Sequence, residues 1–166
     1  MRLSLATFLL APLFGAGFED AAAAPSAILI AVRSRDHMSR SSVDKFDQAV
    51  DGVEAYLEKQ HIALLRDPLR GQVRIEGEAN RETITRIAKD AGASQVLELV
   101  VNRPMSSWME LTLRCTKTSG ELLWEVRSAA SNQLTSKDHV RKALENLAKK
   151  LDTKLNGACL VTETKQ

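Results

Sequence analysis

The histidines of this chain, His37, His61 and His139, are the residues best suited to acid–base or metal chemistry. The surrounding patterns predict that they lie on a loop, at the start of a strand and on a helix. No two of them stand in a His-x-x-x-His spacing. A metal centre needs several ligands that converge on one point. The sequence therefore predicts neither a metal site nor a bound cofactor.

A short polar segment combines the residue types of nucleophilic catalysis, because Asp36 and His37 stand between Ser34 and Ser39. The members of a catalytic triad usually converge from distant segments, and the chain has no Gly-x-Ser-x-Gly motif. We therefore predict an ordinary polar loop and no enzymatic activity. A secreted hydrolase that uses Asp36, His37 or His61 is the least favoured alternative.

The charged residues are mixed in sign along the whole chain. There are 23 Lys and Arg against 21 Asp and Glu, a net charge of +2. Proteins that bind nucleic acid concentrate basic residues on one face, so we expect no nucleic-acid partner. Asp47 and Asp51 stand one helical turn apart, and we interpret them as solvated surface carboxylates and not as a glycosidase pair.

Cys115 and Cys159 form an even pair, which is a disulfide candidate in an oxidising compartment. Such a bridge would stabilise the fold by about 3–4 kcal/mol by restricting the unfolded chain. The alternative is two buried thiols that pack as small apolar residues. The distance between the two Cα atoms decides between these readings, and the sequence leaves both open.

The first 23 residues have the pattern of a secretory signal peptide. Arg2 supplies the positive start, Leu3–Phe14 is apolar and uncharged, and Ala21–Ala24 supplies the small residues that a signal peptidase reads. The apolar stretch is short for a membrane span. We expect cleavage after Ala23, with Ala22 as the alternative.

The remainder of the chain is predicted to form one domain over residues 24–160, followed by a flexible tail at 161–166. Of all 166 residues, 44% are apolar and 27% charged, which is typical of a soluble globular domain. No cysteine lies in or just after the signal segment, so we expect no lipid anchor. No later apolar run is long enough for a membrane span. These features predict a periplasmic or secreted protein.

The first half of this domain has the spacing of alternating strands and helices. Ser26–Arg33 is a continuous apolar run, typical of a strand buried on both faces. Ser42 is a candidate N-cap for an amphipathic helix. Residues 61–66 predict a second strand, and residues 69–78 fit either a short edge strand or a turn. A second helix is predicted after Asn80.

The second half begins with a predicted strand at Ser94–Val101, which Asn102–Pro104 should end. Alternation in Met109–Cys115 and Glu121–Arg127 predicts a hairpin with one solvent-exposed face. A last amphipathic helix follows Ser136. The resulting order, β-α-β-α-β-β-β-α, predicts an α/β fold, a two-layer sandwich in which three helices cover a mixed sheet.

The chain resembles a small βαβαββα domain of bacterial envelope proteins, related to anticodon-binding-like folds. The matching stretches are Ala91–Leu97, with Gly92 ending a helix, Leu111–Arg114 and Thr118–Trp124, together with the final helix. The domain occurs in the N-terminal part of TolB, in the curli secretion lipoprotein CsgG and in LpoB, an activator of penicillin-binding proteins. The resemblance implies a periplasmic module that binds another envelope protein or associates with itself.

Two places are candidates for a partner surface. Trp108 and Met105 lie near the predicted hairpin, and Arg33, Arg35 and Arg40 belong to the loop after the first strand. Aromatic residues are over-represented at interface hot spots. The alternative is that these side chains only cover an end of the sheet. A periplasmic protein that binds a small ligand or a cell-wall glycan, with a pocket lined by Trp108, is the alternative function.

Overall fold

A computed structural model describes residues 26–34, 43–72, 74, 81–105, 107–131 and 139–155. Within these ranges the chain forms five strands and three helices. They are β1 (Ala27–Arg33), α1 (Val43–Lys59), β2 (Leu64–Leu65), α2 (Arg81–Asp90), β3 (Gln95–Met105), β4 (Trp108–Lys117), β5 (Leu122–Ser131) and α3 (His139–Leu155). The predicted order and the α+β arrangement are confirmed. The predicted signal segment and tail lie outside the described residues.

The strands form one mixed sheet in the order β2-β1-β3-β4-β5. β1 runs parallel to both of its neighbours, β2 and β3, whereas β3, β4 and β5 are successively antiparallel. Parallel neighbours need crossover connections, which α1 and α2 supply, whereas antiparallel strands can be joined by short turns. The β-α alternation in the first half of the sequence therefore becomes the parallel half of the sheet.

The larger part of the core lies between the sheet and the pair α1 and α3. Because successive side chains of a strand point to opposite faces, alternate residues such as Leu97, Leu99, Leu111 and Leu113 all face this pair of helices. The helices contribute apolar stripes at helical spacing, namely Phe46, Val50, Val53 and Leu57 from α1 and Val140, Ala143, Leu147 and Leu151 from α3. The amphipathic helix predicted after Ser42 is thus confirmed.

Within the described ranges, the opposite face of the sheet is covered only in part. Ile84, Ile87 and Ala88 of α2 pack on the other side of β1 and β3, so β1 is buried on both faces, as its continuous apolar run predicts. On β4 and β5 this face carries half-exposed polar side chains, among them Arg114 and Glu125. The predicted exposed face of the hairpin is confirmed. None of the described helices is long and apolar enough to cross a membrane.

The ends of α1 and α2 show how local residues stop a helix. Gly92 follows α2 with a φ of +73°, and the N–H of Ala93 donates to the carbonyl of Ala88 at 2.9 Å, as in a glycine-terminated helix. His61 takes the same role after α1, with a φ of +59°. The prediction that His61 begins a strand is wrong, because the N–H of Ile62 still bonds to Leu57 of the helix at 3.1 Å.

Two strands differ in length from their predictions. The second strand was expected over residues 61–66, but β2 has only two residues, which pair with Ala27 and Ile28. β3 was expected to end at Asn102–Pro104, but it continues to Met105. Its register with β4 shifts between Asn102 and Met105. Such a shift admits a proline, which has no N–H to donate, into a paired strand.

Candidate functional site

The tip of the β3–β4 hairpin carries an exposed apolar pair. Met105 and Trp108 face each other across the two strands and are 66% and 36% exposed. β1 ends at Arg33, opposite Val101. β3 continues four residues past that point, so the tip extends about 13 Å beyond the end of β1 at the usual rise of a strand, with β5 beside it up to Ser131. We call Met105 and Trp108 the hairpin surface.

Two neighbouring polar side chains hold Trp108 in place. Its Nε1 donates a hydrogen bond to Oε1 of Glu110 at 2.9 Å, and Nδ2 of Asn102 donates to Oε2 of the same carboxylate at 3.1 Å. Glu110 lies two residues along β4, so both side chains share the face opposite to the α1–α3 core. The indole is therefore fixed in an exposed position. This support was not foreseen from the sequence, where Asn102 was expected to end a strand.

Arg33 lies on the other face of the sheet. Its guanidinium sits over the ring of Phe46 in α1, 4.7 Å from the ring centre, where the cation is attracted by the face of the ring. The structure therefore does not bring Arg33 together with Met105 and Trp108. Arg35 and Arg40, the other predicted surface residues, lie outside the described residues.

A crevice of about 370 Å³ opens at the carboxyl end of β1. β2 pairs only with the first two residues of β1, and the segment after β2 folds back so that the N–H of Arg33 donates to the carbonyl of Arg74 at 2.7 Å. An ion pair of 2.6 Å between Arg74 and Asp67 holds this segment. Apolar side chains of β1 and α1, including Leu29 and Val50, form the floor.

One wall of the crevice is a charged cluster on α1 and the following loop. Arg70 pairs with Asp51 at 3.0 Å and with Glu54 at 2.7 Å. Burial raises the pKa of Glu54, although the charge of Arg70 opposes this shift. Asp51, interpreted from the sequence as a solvated carboxylate, is thus half of a surface ion pair. Sequence reasoning missed this cluster, because Arg70 is 16 residues beyond Glu54 and only the fold brings them together.

The histidines do not converge within the described ranges. His61 is exposed at the end of α1, His139 is fully buried at the start of α3, and His37 lies outside the described residues. Among those ranges, no three His, Cys, Asp or Glu side chains are grouped so that they could hold a metal ion. Asp36 also lies outside the described residues, so the hydrolase alternative stays an untested prediction.

The two helices of the main layer meet closely at Gly52 and Leu144, and an apolar groove of about 210 Å³ runs beside this contact. Tyr56 closes one side of the groove, because its hydroxyl donates to Asp152 of α3 at 2.5 Å. Burial and this hydrogen bond raise the pKa of Tyr56 far above its usual range. The hydroxyl therefore remains a donor that links the two helices above neutral pH as well.

Cys115, one half of the disulfide candidate, is fully buried in β4 and faces the core. Its Sγ lies 3.5 Å from Oε1 of Gln95. Cys159 lies outside the described residues, so the disulfide stays a prediction. The burial of Cys115 agrees with its predicted position on the inward stripe of the hairpin.

No family model matches this chain, and no curated protein matches it in sequence. The fold is similar to several solved structures. A PelC dodecamer from Paraburkholderia phytofirmans is 16% identical, and the match covers 77% of this chain and 84% of that chain with a TM-score of 0.48. LpoB from E. coli is 17% identical, with 66% and 59% covered and a TM-score of 0.48.

A third similar structure is the hypothetical protein CT253 from Chlamydia trachomatis. It is 10% identical, the match covers 81% of this chain and 98% of that chain, and the TM-score is 0.47. A likeness to LpoB was expected from the sequence. At these identities the likeness concerns the fold alone, and the function has to be argued from this chain's own residues.

Proposed function

We propose that this chain is an exported, non-catalytic envelope protein that binds a protein partner through the hairpin surface. The observation that supports this proposal is the position of Trp108, which is exposed at the tip of the β3–β4 hairpin while Glu110 holds its indole. A side chain that is already ordered loses little conformational entropy when a partner covers it. Tryptophan is also among the residues that contribute most to interface hot spots.

Export is supported by the signal-peptide pattern of residues 1–23. The test is fractionation of the host cells, followed by N-terminal sequencing of the protein from the envelope fraction. We expect a chain that begins at Ala24, or at Ala23 if the peptidase uses the alternative position. A protein that stays in the cytosol and retains its first residues would contradict the proposal.

Partner binding can be tested by placing a photo-crosslinking amino acid at position 105 in the host. Leu122 provides a matched control, because it is also a large exposed apolar residue, 52% exposed, but lies at the opposite end of the hairpin strands. We expect a discrete protein adduct from position 105 and none from position 122. Adducts of equal strength at both positions, or none at position 105, would refute the hairpin surface as the binding site.

The role of the fixed indole can be measured once the crosslinked partner is purified. Trp108→Ala should weaken binding by at least tenfold, which is the loss typical of a hot spot. Glu110→Ala should have a smaller effect in the same direction, because the indole would stay present but lose its support. If Glu110→Ala weakened binding and Trp108→Ala did not, the carboxylate would be the contact and this assignment would be wrong.

A second candidate function, small-ligand binding, is favoured by the crevice at the end of β1. Nε of Arg33 has no hydrogen-bond partner among the described residues, and its guanidinium lies at the crevice over Phe46. An anionic group on a ligand would match this cation. Arg33→Met and Trp108→Ala separate the two functions. A cell-wall fragment whose binding is lost only in Arg33→Met would favour the second.

A further inference from the structure

In the part of the chain that the structure describes, the outer edge of β5 is a long strand edge that pairs with no further strand. β5 has ten residues and stands last in the strand order. Its register pairs Leu113 with Val126 and Leu111 with Ser128. In β4, the N–H of Lys117 points toward the β5 side, where it donates to the carbonyl of Glu121 at 2.9 Å.

This register determines which backbone groups of β5 face outward. In an antiparallel pair, every second residue directs both its N–H and its C=O to the partner strand. Residues 109, 111, 113 and 115 of β4 share the direction of Lys117, so their partners 124, 126, 128 and 130 point toward β4. The alternate residues, Glu125, Arg127, Ala129 and Ser131, therefore direct their backbone groups away from the sheet.

Two side chains of α3 cap this outer edge. Nζ of Lys150 donates to the carbonyl of Arg127 at 2.6 Å, and Nδ2 of Asn146 donates to the carbonyl of Ala129 at 3.2 Å. The spacing matches, because four residues of a helix rise about 6 Å and two residues of a strand about 6.8 Å. On the buried side, the hydroxyl of Ser128 donates to the carbonyl of Ala143 at 2.8 Å and keeps α3 in register with β5.

An exposed strand edge is a template for pairing with another chain, and proteins block such edges with charged side chains or covering elements. We propose that Asn146 and Lys150 block a homotypic interface, and that the edge of β5, once these caps are removed, pairs with β5 of a second copy of this chain. The inference does not depend on the hairpin surface, which lies on other strands.

The charges on β5 select the register of this pairing. A two-fold axis at Val126 places Glu125 opposite Arg127 of the second copy, and Arg127 opposite Glu125. Both residues are outward-directed, so they would exchange backbone hydrogen bonds in an antiparallel pair. An axis at Glu125 or at Arg127 would instead place like charges opposite each other, which is destabilising. Arg127 is 71% exposed, and its guanidinium, which contacts Glu125 of its own chain at 2.6 Å, would also face Glu125 of the second copy.

The test is the mass of the double variant Asn146→Ala, Lys150→Ala in solution, measured by sedimentation velocity over a range of concentrations. We expect a monomer for the wild type and a concentration-dependent dimer for the variant. Lys149→Ala is the matched control, because it removes a charge from an exposed neighbouring position of α3. It should stay monomeric.

A second substitution tests the register. Adding Arg127→Glu to the double variant places Glu opposite Glu125 of the other copy and should restore the monomer, whereas Arg127→Lys should leave the dimer intact. In the dimer, hydrogen exchange at the amide of Arg127 should slow by at least tenfold, because this N–H then donates to the second copy.

A folded double variant that stays monomeric at all concentrations would overturn the proposal, as would a dimer that Arg127→Glu does not dissociate. If circular dichroism shows that the alanine variant does not fold, Asn146→Leu with Lys150→Met keeps the side-chain volume and removes both donors. A monomer or a dimer of that variant is then interpreted in the same way. A wild-type chain that already dimerises through β5 would also refute the capping role.

Discussion

The carboxylate of Asp67 accepts a 2.6 Å hydrogen bond from Nη2 of Arg74, and both side chains are nearly buried, at 8% and 11% exposure. The other carboxylate oxygen accepts the N–H of Leu69 at 2.9 Å. This pair orders the segment after β2, whose Arg74 carbonyl completes the hydrogen bonding of Arg33 at the end of β1. β2 is too short to pair with the end of β1, and this ion pair holds the following segment there instead.

Removal of one partner of this pair should destabilise the fold strongly. Asp67→Ala leaves the Arg74 cation buried without its carboxylate, and we expect a loss of about 3–5 kcal/mol in the free energy of unfolding, measured by urea titration. Asp67→Ala combined with Arg74→Met removes both charges and should cost less than Asp67→Ala alone. A double variant that is less stable than the single variant would contradict this account.

His61 should be replaceable by glycine with a gain in stability. Its φ of +59° lies in the left-handed region, where residues with a side chain are strained by about 1–2 kcal/mol. Glycine avoids this strain but has more freedom in the unfolded chain. We expect His61→Gly to raise the free energy of unfolding by about 0.5–1 kcal/mol. The control Gln60→Gly, at a position with negative φ, should lower it.

A methyl group at Gly52 would overlap the terminal Cδ1 of Leu144 on α3, so the leucine side chain would have to move. Alanine is the better helix former by about 1 kcal/mol, so Gly52→Ala would stabilise the fold if there were no contact with Leu144. A loss of stability would therefore show that the two helices are in close contact. We expect Gly52→Ala to lower the free energy of unfolding by about 1–3 kcal/mol. In a Leu144→Ala background the same change should be neutral or stabilising. An additive double-mutant cycle would show that the two positions are not in contact.

The stability of the sheet should depend on pH through Glu125. Hydrogen bonds from Arg114 and Arg127, both at 2.6 Å, hold the pKa of Glu125 below its usual range. A carboxylate with a lowered pKa contributes stability above its unfolded pKa, and this contribution is lost as the pH falls through the folded value. Between about pH 5 and about pH 3, the wild type should therefore lose more stability than Glu125→Gln.

The same titration has an internal control. In a background with Arg114→Met and Arg127→Met, the donors that lower the pKa are gone, and Glu125→Gln should no longer change the slope of stability against pH. A persistent difference in that background would mean that the two arginines are not the cause.

Part of the candidate site follows from local pattern. Alternation along Met109–Cys115 identified the inward stripe of β4, and the same alternation leaves Trp108 on the opposite, solvent-facing side. Met105 and Trp108 are exposed near each other because a short hairpin joins β3 and β4. The sequence predicted no hairpin at this point. The residues around Pro104 predict a strand end, although a register shift allows the strand to continue through the proline.

By itself, the sequence determined the order of the elements, the buried stripe of α1, the glycine at the end of α2 and the exposed face of the hairpin. Each of these depends on residues only a few positions apart. Apolar residues that recur every 2 positions indicate a strand, and those that recur every 3.6 positions indicate a helix. Only the tertiary structure decided that Arg33 and Trp108 lie on opposite faces, that Arg74 meets Asp67, and that Lys150 reaches the carbonyl of Arg127. These contacts join segments whose approach is set by how the helices pack on the sheet, and no local spacing encodes that.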